Sequence, residues 1–281
     1  MKSSALKKIV IVILAVLAAI LLAGYLLISG AIKKNRVQPM DFTQDLNLKK
    51  PDPVKDQPSV LFLGNSMTYY NDLPSVFTQL SQSGGYMPEV YELTEGSYRL
   101  EYFADREDEV GSQVYDALEN YTWDYVILQE QSGIATMGED VMYPAARTLD
   151  TMIRQAQGEP VFLMTWAFKE GISIDFLPGL KYKESRAEMQ TKIAGHYIDI
   201  AKELDALLAP AGIAFMRCAS QFPEIDLWDE DENHPSPAGT YLSACVLYKV
   251  LYDQSPEGLE YSGDLDPQTA GKLQLIAAGI E

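Results

Sequence analysis

Residues 59–68 read Ser59-Val60-Leu61-Phe62-Leu63-Gly64-Asn65-Ser66-Met67-Thr68. The apolar run predicts a buried strand over Ser59–Leu63, and Gly64 opens a tight turn that leads through Ser66 into a helix. Further short runs of this kind predict strands at Glu89–Leu93, Tyr125–Leu128, Val161–Thr165 and Ile213–Met216. Helical patterns separate them: Pro74–Gln82 behind an Asn71-Asp72 cap signal, then Tyr143–Gln157. A long stretch from Arg186 repeats Met189, Ile193, Tyr197, Ile200, Leu204 and Leu207 at three- and four-residue steps. Asp266–Ala278 predicts a closing helix. Strands alternating with helices predict an α/β fold with a parallel sheet covered on both faces, whose active site lies at the carboxyl ends of the strands.

Upstream of this domain, Ile9–Ile32 holds no charged residue. As a helix it would rise about 36 Å, enough to cross a hydrocarbon core of about 30 Å. The run exceeds the h-region of a signal peptide, although Ser29-Gly30-Ala31 offers a small-residue cleavage pattern. Residues 33–57 carry Pro39, Pro51 and Pro53 among lysines and polar residues without periodicity, which predicts an extended linker. The chain thus divides into a cytoplasmic arm (1–8), a transmembrane signal-anchor (9–32), a linker (33–57) and an extracytoplasmic domain (58–281), secreted instead if the span is cleaved.

The 281 residues carry a formal charge of −18, and six of the 22 basic residues precede Asp41, the first acid. From Asp41 onward the chain holds 16 basic and 40 acidic residues, a charge of −24. Such a surface disfavours nucleic acid and anionic headgroups as partners. Two cysteines, Cys218 and Cys245, cannot supply a disulfide framework or a thiolate zinc site, and two histidines cannot supply a His-rich metal centre. The cysteines read as buried thiols, with pairing outside the cell as the alternative.

Two places carry chemistry. A serine in a strand-to-helix turn, Ser66, can expose its hydroxyl and borrow backbone N–H groups, although this turn lacks the final glycine of the Gly-x-Ser-x-Gly elbow. The second is Asp231-Glu232-Asn233-His234-Pro235-Ser236. An imidazole activates a serine by taking its proton, and a carboxylate on the other ring nitrogen orients it; three residues' separation lets Asp231 reach His234 locally. The competing reading is a calcium loop on Asp229, Asp231 and Asn233, but its sixth position is His234 rather than glycine. His196 falls inside the long helical pattern and reads as a packed or surface histidine.

In order and separation, Gly64-Asn65-Ser66-Met67-Thr68 and Asp231-x-x-His234-Pro235 resemble the SGNH (GDSL-like) hydrolase family, over about Pro58–Leu251. The resemblance implies a flavodoxin-like three-layer α/β/α sandwich of about five parallel strands, and ester or acyl-transfer chemistry without metal or organic cofactor. It implies Ser66 as nucleophile, His234 as base and Asp231 as orienting acid. It also implies an oxyanion hole from the N–H of Ser66, the N–H of Gly96 in Thr94-Glu95-Gly96-Ser97, and a side-chain amide after strand three. There the family's Gly-x-Asn-Asp is replaced by Gln129-Glu130-Gln131-Ser132, so Gln131 aligns with the asparagine and Gln129 competes with it. Asn65 stands where the family has aspartate. These departures mark a divergent branch.

The resemblance and the apolar N-terminal run together imply a membrane-anchored serine esterase acting on small acyl esters, such as O-acetyl groups on glycans. Asn65, Gln129 and Trp166 are candidate substrate contacts, and Trp123 and Trp228 further candidates for stacking on sugar rings. An acyltransferase acting on cell-surface polymers and a non-catalytic glycan-binding protein are the alternatives.

Overall fold

The computed structural model describes residues 36–280 apart from residues 54, 178 and 179. The expected cytoplasmic arm and membrane span lie outside the described residues, among which no helix is long and apolar enough to cross a membrane.

Five strands form one parallel sheet: β1 (Ser59–Gly64), β2 (Glu89–Thr94), β3 (Tyr125–Leu128), β4 (Glu159–Leu163) and, after a separate hairpin of β5 (Ile172–Leu177) and β6 (Leu180–Glu184), β7 (Leu207–Ala209). Their order is β2-β1-β3-β4-β7. All four pairings are parallel, with Leu63 opposite both Leu93 and Leu128. Every residue of β3 and β7 is buried, as expected of parallel strands that face helices on both sides. The chain runs to β2 on one side of β1 and then to β3, β4 and β7 on the other. The order therefore reverses beside β1, which opens a crevice at the carboxyl ends of β1 and β3.

The connecting helices are α1 (Ser66–Tyr69), α2 (Leu73–Ser83), α3 (Leu100–Phe103), α4 (Glu109–Asn120), α5 (Ser132–Ala135), α6 (Met142–Gln155), α7 (Arg186–Glu203), α8 (Ala211–Gln221), α9 (Pro237–Tyr252) and α10 (Pro267–Ala278). These helices flank the sheet. On one face α9, buried along nearly its whole length, packs against α2, α8 and α10; on the other, α6 packs against α3 and α4. The three-layer α/β/α arrangement and its five parallel strands match the expectation from sequence.

The fifth strand does not lie where the sequence suggested. Ile213–Met216 is the middle of α8, and the strand is Leu207–Ala209, which pairs with Val161–Leu163. Helix α7 stops at Glu203 and Asp205 takes a left-handed backbone (φ 48°), so Leu207 leaves the helical repeat. A three-residue apolar strand has no period of its own, so it reads as a continuation of the helix before it. The hairpin of β5 (Ile172–Leu177) and β6 (Leu180–Glu184) and the helix α4 were not anticipated either.

The described residues of 36–58 form neither helix nor strand, but they do not stand free of the domain. Met40, Phe42, Leu46 and Leu48 pack partly buried against the core. The buried Arg217 guanidinium donates to the carbonyls of Phe42 (2.7 Å), Gln44 (3.0 Å) and Gly279. Lys49 pairs with Glu159 at 2.8 Å and Lys55 with Asp124 at 2.7 Å, both at the amino ends of sheet strands. The segment anticipated as a linker is strapped along the domain, because its scattered apolar side chains find burial without any periodicity.

Candidate active site

The turn from β1 into α1 is built by buried polar contacts. Asn65, 1% exposed, caps α1: its Oδ1 accepts from the Met67 N–H at 3.0 Å and its Nδ2 donates to the Tyr98 carbonyl at 2.8 Å. Gln129, directly after β3, accepts at Oε1 from the Asn65 N–H and the Thr68 hydroxyl, both at 2.9 Å, and donates to the Glu130 carbonyl. Gly64 is required here, since a Cβ would lie 2.4 Å from Thr68 Oγ1 and 2.7 Å from Gln129 Oε1. This brace turns Ser66 outward at the first position of α1. Its backbone N–H has no partner among the described residues, as a first-turn N–H should not.

The second segment is the loop before α9. Its turn is closed by the Asp229 N–H on the His234 carbonyl at 2.9 Å and by a bridge between Trp228 and Pro235. Asp231 Oδ1 accepts from the N–H groups of Asn233 (3.0 Å) and His234 (2.9 Å), while Oδ2 meets His234 Nδ1. Partial desolvation works against ionisation of Asp231, but the His234 ring and these two N–H groups outweigh it and hold its carboxyl below the ordinary value. His234 Nε2 lies 2.8 Å from Ser66 Oγ, across 168 positions of sequence. With the proton on Nδ1 the ring donates to Asp231, and Nε2 is left to accept from the serine hydroxyl.

The candidate oxyanion donors sit differently from one another. Gln131 caps α5, its Oε1 accepting from the Ile134 N–H at 2.9 Å, which leaves its amide nitrogen without a partner among the described residues. The Gly96 N–H, however, is taken by the Glu95 carboxylate at 2.8 Å on the exposed side of the turn. Ser66 and Gln131 thus present free donors, and Gly96 presents one only when Glu95 swings away.

Three residues expected to touch substrate are buried. Asn65 and Gln129 are spent on the turn, and Trp166 is 1% exposed, stacked on Phe215 at 4.3 Å, with Nε1 donating to the Asn233 carbonyl at 3.1 Å. Trp123 and Trp228 are also buried, and Trp228 donates to the Ala167 carbonyl. Tryptophans near strand ends serve the core here; Trp166 and Trp228 do so by anchoring the loops around His234. His196 is packed under the 135–138 turn, with Nδ1 at the Ala135 carbonyl and the Gly138 N–H. Both cysteines are free and buried, and burial pushes the Cys218 thiol up to about 12.

Two features of the site are not evident from the sequence motifs. The Tyr70 ring stacks on the His234 imidazole, centroids 4.4 Å apart and planes 11° from parallel, and its hydroxyl donates to Asp229 at 2.5 Å. Its one signal in the sequence is position, one helical turn after Ser66. Glu130 is fully buried beside Gln131, and burial pushes its carboxyl up to about 7 against hydrogen bonds from the Gln131 and Leu100 N–H groups. Flanked by two glutamines that compete for the amide role, this carboxyl carries no signal of its own in the sequence.

No family model matches the chain, and no curated protein matches it. Solved structures do. A candidate SGNH hydrolase from Slackia heliotrinireducens is 27% identical, with a TM-score of 0.59, over 69% of this chain and 98% of its own. A DUF4886 family protein from Bacteroides uniformis is 18% identical, with a TM-score of 0.65, over 79% of this chain and 93% of its own. In strand order, in the placement of its turns and in these neighbours, the chain has the SGNH (GDSL-like) hydrolase fold.

Proposed function

We propose that the protein is a serine esterase that removes small acyl groups, acetyl foremost, from glycans outside the membrane to which it is tethered. The observation that carries the chemistry is the 2.8 Å contact between Ser66 Oγ and His234 Nε2, with Asp231 on the other ring nitrogen. His234 takes the Ser66 proton as the oxygen attacks the ester carbonyl, and the imidazolium is stabilised by Asp231. The developing oxyanion is met by the Ser66 N–H and the Gln131 amide, two donors without partners among the described residues. His234 then returns the proton to the leaving alkoxide, which departs as the alcohol. Water, deprotonated by His234, attacks the acyl-serine, and collapse of that intermediate frees the carboxylic acid and Ser66. The Slackia protein's description as an SGNH hydrolase supports this class of reaction.

The glycan substrate and the outside location rest on the uncharged run Ile9–Ile32 and on the acidic sequence beyond it. The test uses the full chain in detergent. Ester hydrolysis is followed with p-nitrophenyl acetate and with an O-acetylated polysaccharide, in the wild type and in Ser66→Ala. The wild type should release acetate from both, Ser66→Ala should fall to background, and a fluorophosphonate probe should label only the wild type. Equal rates in the two forms would remove Ser66 from the mechanism.

A further inference from the structure

A triad base is useful only while its ring is held edge-on to the nucleophile, and here the orienting acid is poorly placed to do that alone. The Asp231 side chain is 46% exposed, and Glu230, Asp231 and Glu232 form an exposed stretch of the turn that carries His234. From these contacts we infer that Tyr70, tied down by Asp229, is a positioning residue that clamps the His234 ring against Ser66; the inference rests on the proposed esterase activity.

Four observations carry it. The Tyr70 ring lies nearly parallel to the imidazole, in contact distance over its face, so it blocks tilting of the ring and keeps water off that side. Tyr70 also belongs to the nucleophile's own helical turn, since its N–H donates to the Ser66 carbonyl at 3.0 Å. A movement of the serine therefore carries the clamp with it. The phenol is fixed at its far end by Asp229, which stands in the same turn as His234 and donates its own N–H to the His234 carbonyl. Finally, the hydrogen bond between them draws both groups toward the linked state: it raises the Tyr70 phenol and lowers the Asp229 carboxyl. Two parallel links, Ser66 to His234 and Tyr70 to Asp229, thus join the two segments, and Asn71 adds a third by donating to the Pro235 carbonyl at 2.7 Å. A ring with its negative face over the imidazole also favours the imidazolium that forms as the serine attacks.

The clamp predicts a change in kcat and not in KM, because Tyr70 acts on the base and not on the ester. With p-nitrophenyl acetate, Tyr70→Ala should lower kcat about tenfold while KM stays within about twofold, the order expected for a misaligned reacting group. Tyr70→Phe keeps the stack and loses the tether, so it should recover kcat to within about threefold of wild type. Asp229→Ala should match Tyr70→Phe and add nothing in the double variant. An independent readout needs no turnover. The chain has two histidines, so the His234 ring proton signals are readily assigned by NMR, and loss of the stacked ring should move them downfield in Tyr70→Ala alone. Unchanged kcat and unchanged His234 signals in Tyr70→Ala overturn the clamp, as does a Tyr70→Phe as slow as Tyr70→Ala. Should Tyr70→Ala not fold, the other two variants carry the test: kcat about two- to threefold below wild type in Tyr70→Phe, in Asp229→Ala and in the double variant alike, with His234 signals unmoved, supports it, and any other result, wild-type kcat included, overturns it. If the wild type itself hydrolyses no ester, the esterase reading fails, and the NMR shift still decides whether the stack exists.

Discussion

At Glu130 a single side chain makes folding stability depend on pH. Its carboxyl is pushed from 4.5 up to about 7 in the folded protein, chiefly by burial. A carboxyl whose value is raised by folding binds its proton more tightly in the native state, so stability falls as pH rises from about 4.5 through about 7 and then levels off. At about 1.4 kcal/mol per unit, the whole effect is on the order of 3 kcal/mol. Glu130→Gln is neutral throughout, so its stability relative to wild type should improve between pH 5 and pH 8. Denaturant unfolding of both proteins at the two pH values checks this, and an unchanged difference would show that Glu130 does not titrate in that window.

The strand-to-helix turn is the element on which the site depends. It works because Gly64 lets Thr68 and Gln129 close over the backbone before Ser66, and because Asn65 stitches the turn to the Tyr98 carbonyl. Gly64→Ala places a methyl against two buried hydrogen-bonding oxygens, which must shift and take the turn with them. Overpacking of this kind costs about 1–3 kcal/mol. Because the displaced groups set the direction of Ser66, activity should fall further than stability, by about a hundredfold in kcat. Melting temperature and turnover measured on the same sample separate the two effects; a loss of stability with undiminished turnover would show that the turn does not aim the serine.

Across the whole molecule, the strap over 36–58 joins regions far apart in sequence through Arg217. That guanidinium binds carbonyls of the strap and of the C-terminal end of α10 at once. Arg217→Ala removes all three bonds and frees the strap from the end of α10. Each hydrogen bond from a charged donor contributes about 1.5–3 kcal/mol, and water repays part of that once the strap lifts. A net loss of about 2–4 kcal/mol is expected, together with faster proteolysis within 36–58. An unchanged melting temperature and digestion pattern would mean that the strap contributes nothing to the fold.

Much of this architecture is written locally. Buried parallel strands read as apolar runs because both of their faces meet helices, so four of the five strands and the alternation of layers were legible. The Asp231-x-x-His234 contact closes within one turn, so its spacing alone brings the pair together. Elsewhere local information fails for identifiable reasons. Leu207–Ala209 is too short to carry a period, and its strand state comes from pairing with β4. Nothing in the residue types says whether Gln129 or Gln131 keeps a free amide; the fold decides by burying Gln129 under Asn65 and Thr68. Trp166 looks like a sugar platform until Phe215 covers it. Residue chemistry and spacing by themselves determined the class of fold and the Asp231–His234 contact, because both follow from patterns along the chain; the resemblance implied that Ser66 joins that pair, and the tertiary structure brings it there across 168 positions. Which polar groups remain free to act, and that Tyr70 covers the base, were decided only by tertiary structure, because a hydrogen-bonding group is spent or spared by neighbours that sequence distance does not reveal.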